Sequence, residues 1–278
     1  MTQPSPVVAL VPTYNGSRYL RETLTSLAAQ DHPSLRVLVS DDASSDETPE
    51  ICAAFAGDRR FTVIRQPSRL GWVENSNALL AEVGDEHAFF APHDDIFHPT
   101  YARRLSDALA SRPDAVLAFA DTTAIGRAKV FRALDRGTHT GSRVRRALPY
   151  LPDAFQERCL PFRGLVRSGA LARVGPLRRS SLGEFDADGR WLFRLALLGP
   201  FVRVPEALSE KRLHEMSLAG SWTYRRRIWM RDALTYIPEA RRAGLGPVEL
   251  GALTAAALGQ AGLHLCPPRV RNAVRPRR

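Results

Sequence analysis

Apolar runs and amphipathic stretches alternate along the first 120 residues. Val7–Pro12 is a continuous apolar run, as expected for a strand buried on both faces of a sheet. Tyr19, Leu20, Leu24 and Leu27 then recur at helical spacing. Further strands are predicted at Arg36–Ser40, Phe61–Arg65, His87–Ala91 and Ala115–Ala120, and helices from Thr48, over Val73–Val83 and over Pro99–Ser111. This alternation predicts an α/β fold with a mostly parallel central sheet flanked by helices.

The second half of the chain is less regular. Asp121–Pro161 has weak periodicity and is rich in Arg, Gly and Pro, so we interpret it as a variable connection over a binding site. After it we predict a strand at Arg163–Arg167, helices near Ala170–Val174 and over Gly189–Leu198, and a strand at Phe201–Val204. We therefore expect an α/β domain over residues 1–221 and a helical, arginine-rich appendage over residues 222–278.

Composition and charge narrow the class of protein. Of the 278 residues, 44% are hydrophobic and 24% charged, which is ordinary for a globular protein. Cys52, Cys159 and Cys266 lie far apart, so the sequence indicates neither a disulfide framework nor a cysteine zinc site. The net charge is +10, but residues 222–278 hold eleven arginines against Asp232, Glu239 and Glu249. The basic character belongs to the appendage, and no nucleic-acid-binding motif accompanies it.

The two ends of the chain bear on localisation. The first fifteen residues lack the basic and apolar regions of a secretory signal, so we expect a cytoplasmic protein. Trp222–Arg231 interleaves aromatic residues with arginines, and the chain closes with RVRNAVRPRR. Residues 222–278 would therefore suit peripheral contact with anionic lipid at the inner face of the membrane. The alternative is a helical appendage that packs on the α/β domain with its arginines in water. Leu250–Pro268 is uncharged but rich in Gly, and is a poor membrane span.

Polar clusters follow three of the predicted strands. They are Thr13–Gly16, Asp41–Asp46 and His93–Asp95. In an open α/β sheet, ligands bind beyond the carboxyl ends of the strands, so these clusters should line one site. Neither GxGxxG nor GxxxxGK[ST] follows the first strand, which argues against a dinucleotide-binding or P-loop fold. If this protein binds phosphate, we expect a metal ion, and not a glycine-rich loop, to neutralise the phosphate charge.

The sequence resembles the inverting family 2 glycosyltransferases, which have the nucleotide-diphospho-sugar-binding fold called GT-A. The resemblance lies in VVALVPTYNGSRYLRETLTSLAAQDHPSLRVLVSDDASSDETPEIC, GWVENSNALL, FFAPHDD and DGRWLFRLALLGPFVRVPEAL. It covers roughly residues 5–218, and its four motifs occur in the right order and spacing. It implies a nucleotide-binding half over about 5–120, an acceptor-side half over about 121–221, and transfer of a sugar from a nucleotide donor to an acceptor hydroxyl.

The resemblance implies a cation, Mg²⁺ or Mn²⁺, on the donor diphosphate. His93-Asp94-Asp95 stands where the family has its DXD motif, with His93 in place of the usual first Asp. By that match Asp95 is the direct metal ligand and Asp94 contacts the ribose or the metal shell. His214 matches a histidine that often completes the metal or diphosphate site. The alternative is that Asp94 and Asp95 cap the following helix near Pro99.

The resemblance also implies the donor contacts. It places Pro12, Tyr14 and Asp42 around the nucleotide base, with Asp42 accepting a hydrogen bond from a ring N–H of uracil. Asn77 lies on a segment that approaches the donor. Arg69 on the same segment either pairs with a phosphate or is a solvated loop residue. A UDP-sugar is therefore the expected donor, with dTDP- and GDP-sugars left open.

An inverting transfer also needs a general base for the acceptor hydroxyl. Counting back from Leu195–Gly199, the resemblance places it at Asp188, with Asp186 and Glu184 as rivals. The alternative for Asp188 is a carboxylate that caps the helix. Two other functions stay open. One is a sugar nucleotidyltransferase, although the Gly- and Lys-bearing loop it needs is not present after the first strand, and the other is a catalytically silent scaffold.

Overall fold

The computed structural model describes residues 5–125, 127–131, 141–151, 156–212, 214 and 226–265. Within this part of the chain, nine strands form one sheet. The strands are β1 (Val7–Thr13), β2 (Leu35–Asp41), β3 (Phe61–Arg65), β4 (His87–Phe90), β5 (Ile96–Phe97), β6 (Leu117–Ala124), β7 (Arg127–Phe131), β8 (Leu165–Val166) and β9 (Phe201–Lys211).

Helices cover the sheet and extend beyond it. They are α1 (Leu20–Ala28), α2 (Thr48–Ala53), α3 (Trp72–Ala81), α4 (Tyr101–Ser111), α5 (Arg143–Ala147), α6 (Ser168–Val174), α7 (Ala187–Leu198), α8 (Arg226–Arg242) and α9 (Pro247–Leu265). Two 3₁₀ segments, Leu148–Tyr150 and Gln156–Arg163, lead from α5 towards β8.

The strand order is β3-β2-β1-β4-β8-β6-β9-β5, with β7 paired to β6. β1 pairs in parallel with both β2 and β4, and β2 pairs in parallel with β3. The chain thus moves outwards from β1 to β3 and then returns to the other side of β1. That reversal opens a crevice at the carboxyl ends of β1 and β4, where ligands bind in folds of this class.

β1 explains why the apolar runs become central strands. Val8 and Leu10 pack into the core on one face of the sheet, and Val7, Ala9 and Val11 pack into the core on the other face. All five side chains are fully buried. Because a strand presents alternate residues to opposite faces, only a continuous apolar run satisfies both cores. The α/β fold with a mainly parallel sheet is confirmed.

The second half of the sheet departs from simple alternation. β8 is antiparallel to both β4 and β6, and it is much shorter than the predicted strand Arg163–Arg167. β9 continues to Lys211, well beyond the predicted Val204, and pairs in parallel with β6 and antiparallel with β5. These strands extend the sheet on the β4 side of β1, and the end of β9 pairs with β5, which follows β4 in the chain.

The carboxyl-terminal helices join the main core. Tyr236 of α8 packs against Phe193 of α7, with ring centroids 5.1 Å apart. Next to this contact Arg190 and Asp232, 2% and 0% exposed, form a buried ion pair at 3.3 Å.

A division into two domains at residue 221 remains a prediction. Residues 222–225 and 266–278 of the proposed lipid-contacting stretches lie outside the described part, and no helix within that part is both long and apolar enough to span a bilayer.

Candidate active site

A cleft of about 490 Å³ opens at the crevice between β1 and β4. Pro12 and Tyr14 reach it from the end of β1, Asp42 from the end of β2, and Asp94 from the segment after β4. His214 closes it from beyond β9. The structure therefore brings together five of the residues that the sequence singles out, from three strand ends and one distant segment.

The loop after β1 is fixed to the loop after β2 by a set of backbone hydrogen bonds. Asn15 N–H donates to Ser44 Oγ at 2.9 Å, Gly16 N–H to Thr48 Oγ1 at 2.8 Å, and Ser17 N–H to Asp46 Oδ2 at 3.1 Å. Burial works against ionisation of Asp46, but bonds from Thr48 and Ser17 lower its pKa to about 2. The loop that carries Tyr14 is thus held in place before any ligand binds.

Asp42 holds the loop that leads into α3. Its two carboxylate oxygens accept the backbone N–H of Leu70 at 2.6 Å and of Gly71 at 2.9 Å. Gly71 has a φ of +90°, and a Cβ there would meet Glu184 Oε1 at 2.6 Å, so a glycine is needed. Arg69, on the same loop, lies over the Tyr14 ring at 4.0 Å. Asp42 therefore positions an arginine–tyrosine pair at the wall of the cleft.

We expect Asp42→Ala to lower the free energy of unfolding by about 2–4 kcal/mol, because two partly buried N–H groups lose a charged acceptor. Asp42→Asn, which keeps one acceptor oxygen, should cost about half as much. Urea denaturation of both variants measures the difference. If Asp42 served base recognition alone, Asp42→Ala would unfold at the wild-type midpoint.

Asp94 and His214 face each other inside the cleft. His214 Nε2 lies 2.9 Å from Asp94 Oδ2. The imidazole packs against the Tyr19 ring, with ring centroids 5.0 Å apart, and the guanidinium of Arg212 lies 4.3 Å from the centroid of the same ring. Burial opposes ionisation of Asp94, but the electrostatic influence of His93 and the bond from His214 lower its pKa. The carboxylate is therefore ionised and oriented.

Asp95 points away from the cleft. It is fully buried, its Oδ2 accepts from Arg163 Nε at 2.5 Å, and its Oδ1 accepts from the backbone N–H of Arg212 at 3.3 Å. Among the described residues that line the cleft, Asp95 is not found. The attraction of this carboxylate raises the pKa of Arg163 against the effect of burial. Asp95 thus connects the segment after β4 to the end of β9 and to the 3₁₀ segment before β8.

Few side chains at the cleft could bind a divalent cation. The described residues contain no group of three or more His, Cys, Asp or Glu side chains placed to hold a metal ion. Asp94 and His214 supply one oxygen ligand and one imidazole, and His214 Nδ1 is buried with no hydrogen-bond partner in the described part. They fit a cation held by one or two protein ligands together with substrate phosphates, and do not fit a cation enclosed by protein alone.

The three acidic candidates for the general base have different surroundings. Glu184 lines the cleft, where its Oε1 accepts from Arg179 at 3.1 Å and from Val73 N–H at 3.4 Å. Asp186, with a left-handed φ of 55°, is buried and accepts from Tyr236 OH at 2.5 Å. Asp188 is half-buried in the first turn of α7, and is not among the described residues that line the cleft.

Several cleft residues carry no motif that sequence reasoning detects. The apolar floor is formed by Trp72, Phe90 and Phe162, with the rings of Phe90 and Phe162 stacked at 4.5 Å. Phe162 lies one residue beyond the connection Asp121–Pro161 that we expected over the site. Asn75 and Ser76 of α3 also line the cleft, and Asn75 donates to Ser40 O at 3.0 Å.

The structure does not bring Asn77 to the cleft lining. Its side chain exchanges two hydrogen bonds with the backbone of Leu177, at 3.1 and 2.8 Å. Asn75 and Ser76 are buried towards the sheet, whereas Asn77 is turned by the helical rotation of about 100° per residue. Asn77 therefore joins α3 to the segment after α6.

The sheet and its crevice define the class, an α/β protein with a ligand cleft at the carboxyl ends of its parallel strands. Comparison with known proteins gives the family. Residues 8–179, more than half of the chain, match the model described as "Glycosyl transferase family 2". The chain therefore belongs to glycosyltransferase family 2, and the resemblance drawn from its motifs is confirmed.

Individual relatives match over shorter segments. Glycosyltransferase GlyG of Streptococcus pneumoniae serotype 4 is 30% identical over 91 residues, covering 32% of this chain and 30% of GlyG. Poly(ribitol-phosphate) beta-N-acetylglucosaminyltransferase TarS of Staphylococcus aureus is 34% identical over 89 residues, covering 31% of this chain and 16% of TarS. The aligned segments thus span less than a third of either relative.

Solved structures match over nearly the whole chain. TarS in complex with UDP-GlcNAc superposes with a TM-score of 0.72 at 17% identity, covering 92% of this chain and 72% of that one. A mannosyltransferase from Pyrobaculum calidifontis in complex with GDP-Man and Mn²⁺ gives a TM-score of 0.58 at 18% identity, covering 99% and 77%. At these identities the likeness shows the fold.

Proposed function

We propose that this protein is a metal-dependent, inverting glycosyltransferase that moves a sugar from a nucleotide-diphosphate donor to an acceptor hydroxyl. The observation that carries the proposal is the pairing of Asp94 with His214 in the same cleft as Tyr14 and Asp42. A nucleotide at one wall and a diphosphate at the other would then share one site. TarS binds UDP-GlcNAc, which makes a UDP-sugar the first donor to test.

Donor binding uses both walls of the cleft. The nucleotide base lies against Pro12 and Tyr14, and the loop that Asp42 fixes closes over it with Arg69. At the other wall, Asp94 and His214 would hold Mg²⁺ or Mn²⁺, which would neutralise charge on the diphosphate. We assign the direct carboxylate contact to Asp94 rather than Asp95, because the Asp95 oxygens are engaged by Arg163 and Arg212.

Asp188 is proposed as the general base. The acceptor oxygen attacks the sugar C1 while the bond from C1 to the β-phosphate oxygen breaks, and the hydroxyl proton passes to the carboxylate. Glu184, four residues earlier, lines the cleft, which supports a base near the start of α7. Asp188 is in the first turn of that helix, where the helix dipole favours a negative charge.

We expect UDP with Mn²⁺ to raise the melting temperature by roughly 5–10 °C at 100 times its Kd, through binding to the folded state. The rise should be smaller without Mn²⁺. It should also be smaller in His214→Ala, but unchanged in His98→Ala, whose imidazole is exposed and does not line the cleft. A rise with GDP or dTDP instead of UDP would indicate a donor with guanine or thymine as its base. No rise with any of the three would contradict donor binding and favour the silent scaffold.

A further inference from the structure

A second hollow, remote from the cleft, is lined chiefly by arginines. It has a volume of about 340 Å³, within the usual range of small-molecule sites. It lies between α5, α6, the far end of α7 and the end of α8. We call it the arginine hollow. Its arginines are Arg143, Arg146, Arg173, Arg178, Arg194 and Arg242.

Acidic groups do not balance this charge. Glu239 is the one carboxylate among the described residues that line the hollow. It is shared by Arg178 at 2.9 Å, Arg242 at 3.0 Å and Arg194 at 3.5 Å. One carboxylate therefore faces six guanidinium groups. Such an excess of like charge in a partly buried hollow favours an anion that can receive several N–H donors at once.

Backbone carbonyls position the guanidinium groups without neutralising them. Arg146 donates to Ala196 O at 3.0 Å and Leu197 O at 3.2 Å, at the end of α7. Arg194 donates to Val174 O at 2.8 Å and Pro176 O at 2.6 Å. These bonds fix the cations in place, so that a ligand would meet a preorganised site.

Arg194 is a buried cation with a weak partner. Its side chain is 7% exposed, and its Nε lies 3.5 Å from Glu239 Oε2 without making a hydrogen bond within the described part. Burial is the largest cause that lowers its pKa to about 10. Glu239 opposes that shift, and the cations Arg178, Arg190 and Arg242 add to it. Because Glu239 is shared among three arginines, a second anion in the hollow would stabilise this buried cation.

We propose that the arginine hollow is a binding site for a phosphate or diphosphate group, distinct from the donor cleft. α7 has 12 residues and rises about 1.5 Å per residue, so its two ends are roughly 18 Å apart. The proposed base is at the near end of this helix and the hollow at the far end. A group bound in the hollow therefore does not occupy the donor site, and donor binding does not depend on it.

The test is titration of the full-length protein with pyrophosphate by calorimetry, in EDTA so that a cation-dependent site in the cleft does not contribute. Arg173→Gln and Arg242→Gln should each weaken pyrophosphate binding about tenfold, through loss of charge-assisted bonds. Arg241→Gln is the matched control, since Arg241 is exposed beside Arg242 but does not line the hollow. All three variants should keep the wild-type response to UDP with Mn²⁺.

Equal pyrophosphate affinity in all variants, or no saturable binding to wild type, would overturn the proposal. Flotation with vesicles of phosphatidylcholine, with and without phosphatidic acid, then identifies the source of the phosphate. Vesicle binding that Arg173→Gln and Arg242→Gln lose, and Arg241→Gln keeps, indicates a lipid headgroup. Pyrophosphate binding without vesicle binding indicates a soluble phosphate compound. If UDP with Mn²⁺ did not raise the melting temperature of the wild type, the donor site would be contradicted, and the phosphate site in the arginine hollow would be unaffected.

Discussion

Replacement of Asp188 by Asn is expected to lower kcat for sugar transfer by about 10²- to 10⁴-fold, the usual contribution of a general base. An amide has the size of the carboxylate but takes up no proton. Asp188 is half-buried in the first turn of α7, so the change should leave the helix and the nucleotide site in place. Affinity for UDP should stay at the wild-type value. The measurement is the initial rate of UDP release from the donor, together with UDP binding.

Glu184→Gln is the matched control for this prediction. Glu184 lies at the cleft and accepts hydrogen bonds from Arg179 and Val73 N–H. Glutamine keeps an oxygen that accepts both bonds, so we expect a rate loss of less than about tenfold, with any change appearing in donor affinity. The opposite pattern, with Asp188→Asn nearly as active as wild type and Glu184→Gln inactive, would move the role of base to Glu184.

The position of the cleft was predictable from strand order. β1, β2 and β4 are mainly apolar, and a polar cluster follows each of them in the sequence. Because these strands are parallel, their carboxyl ends lie at the same edge of the sheet. That reasoning places Tyr14, Asp42 and Asp94 together without knowledge of any contact. His214 could be found through the family resemblance alone, because it is 120 residues from Asp94 in the sequence.

The direction of single side chains was not predictable. Whether Asp94 or Asp95 faces the cleft depends on β5, a strand of two residues that pairs with the end of β9. Two residues carry no periodicity that a sequence pattern could reveal. The partner of Asp95, Arg163, lies 68 residues away in a 3₁₀ segment. The sequence of α3 also does not show that Asn75, and not Asn77, lines the cleft, because a helix turns neighbouring residues to different faces.

The neighbouring carboxylates Asp94 and Asp95 should give opposite results when each is replaced by Asn. Asp95→Asn leaves the buried guanidinium of Arg163, 11% exposed, without its counter-charge. Breaking a buried pair in this way costs about 3–5 kcal/mol, which corresponds to a fall in Tm of roughly 10 °C. Donor binding should persist in the fraction that stays folded, because the Asp95 oxygens do not reach the cleft.

Asp94→Asn should do the reverse. Its carboxylate is at the cleft surface with His214, and an amide still accepts that hydrogen bond, so stability should change by about 1 kcal/mol or less. The additional stabilisation by UDP that depends on Mn²⁺ should be lost, because a neutral amide is a poor ligand for a hard cation. Thermal melting of both variants with and without UDP and Mn²⁺ separates the two roles. If Asp95→Asn kept the wild-type Tm and lost the Mn²⁺ response, the direct metal contact would belong to Asp95, and the buried ion pair with Arg163 would not be what holds this edge of the sheet.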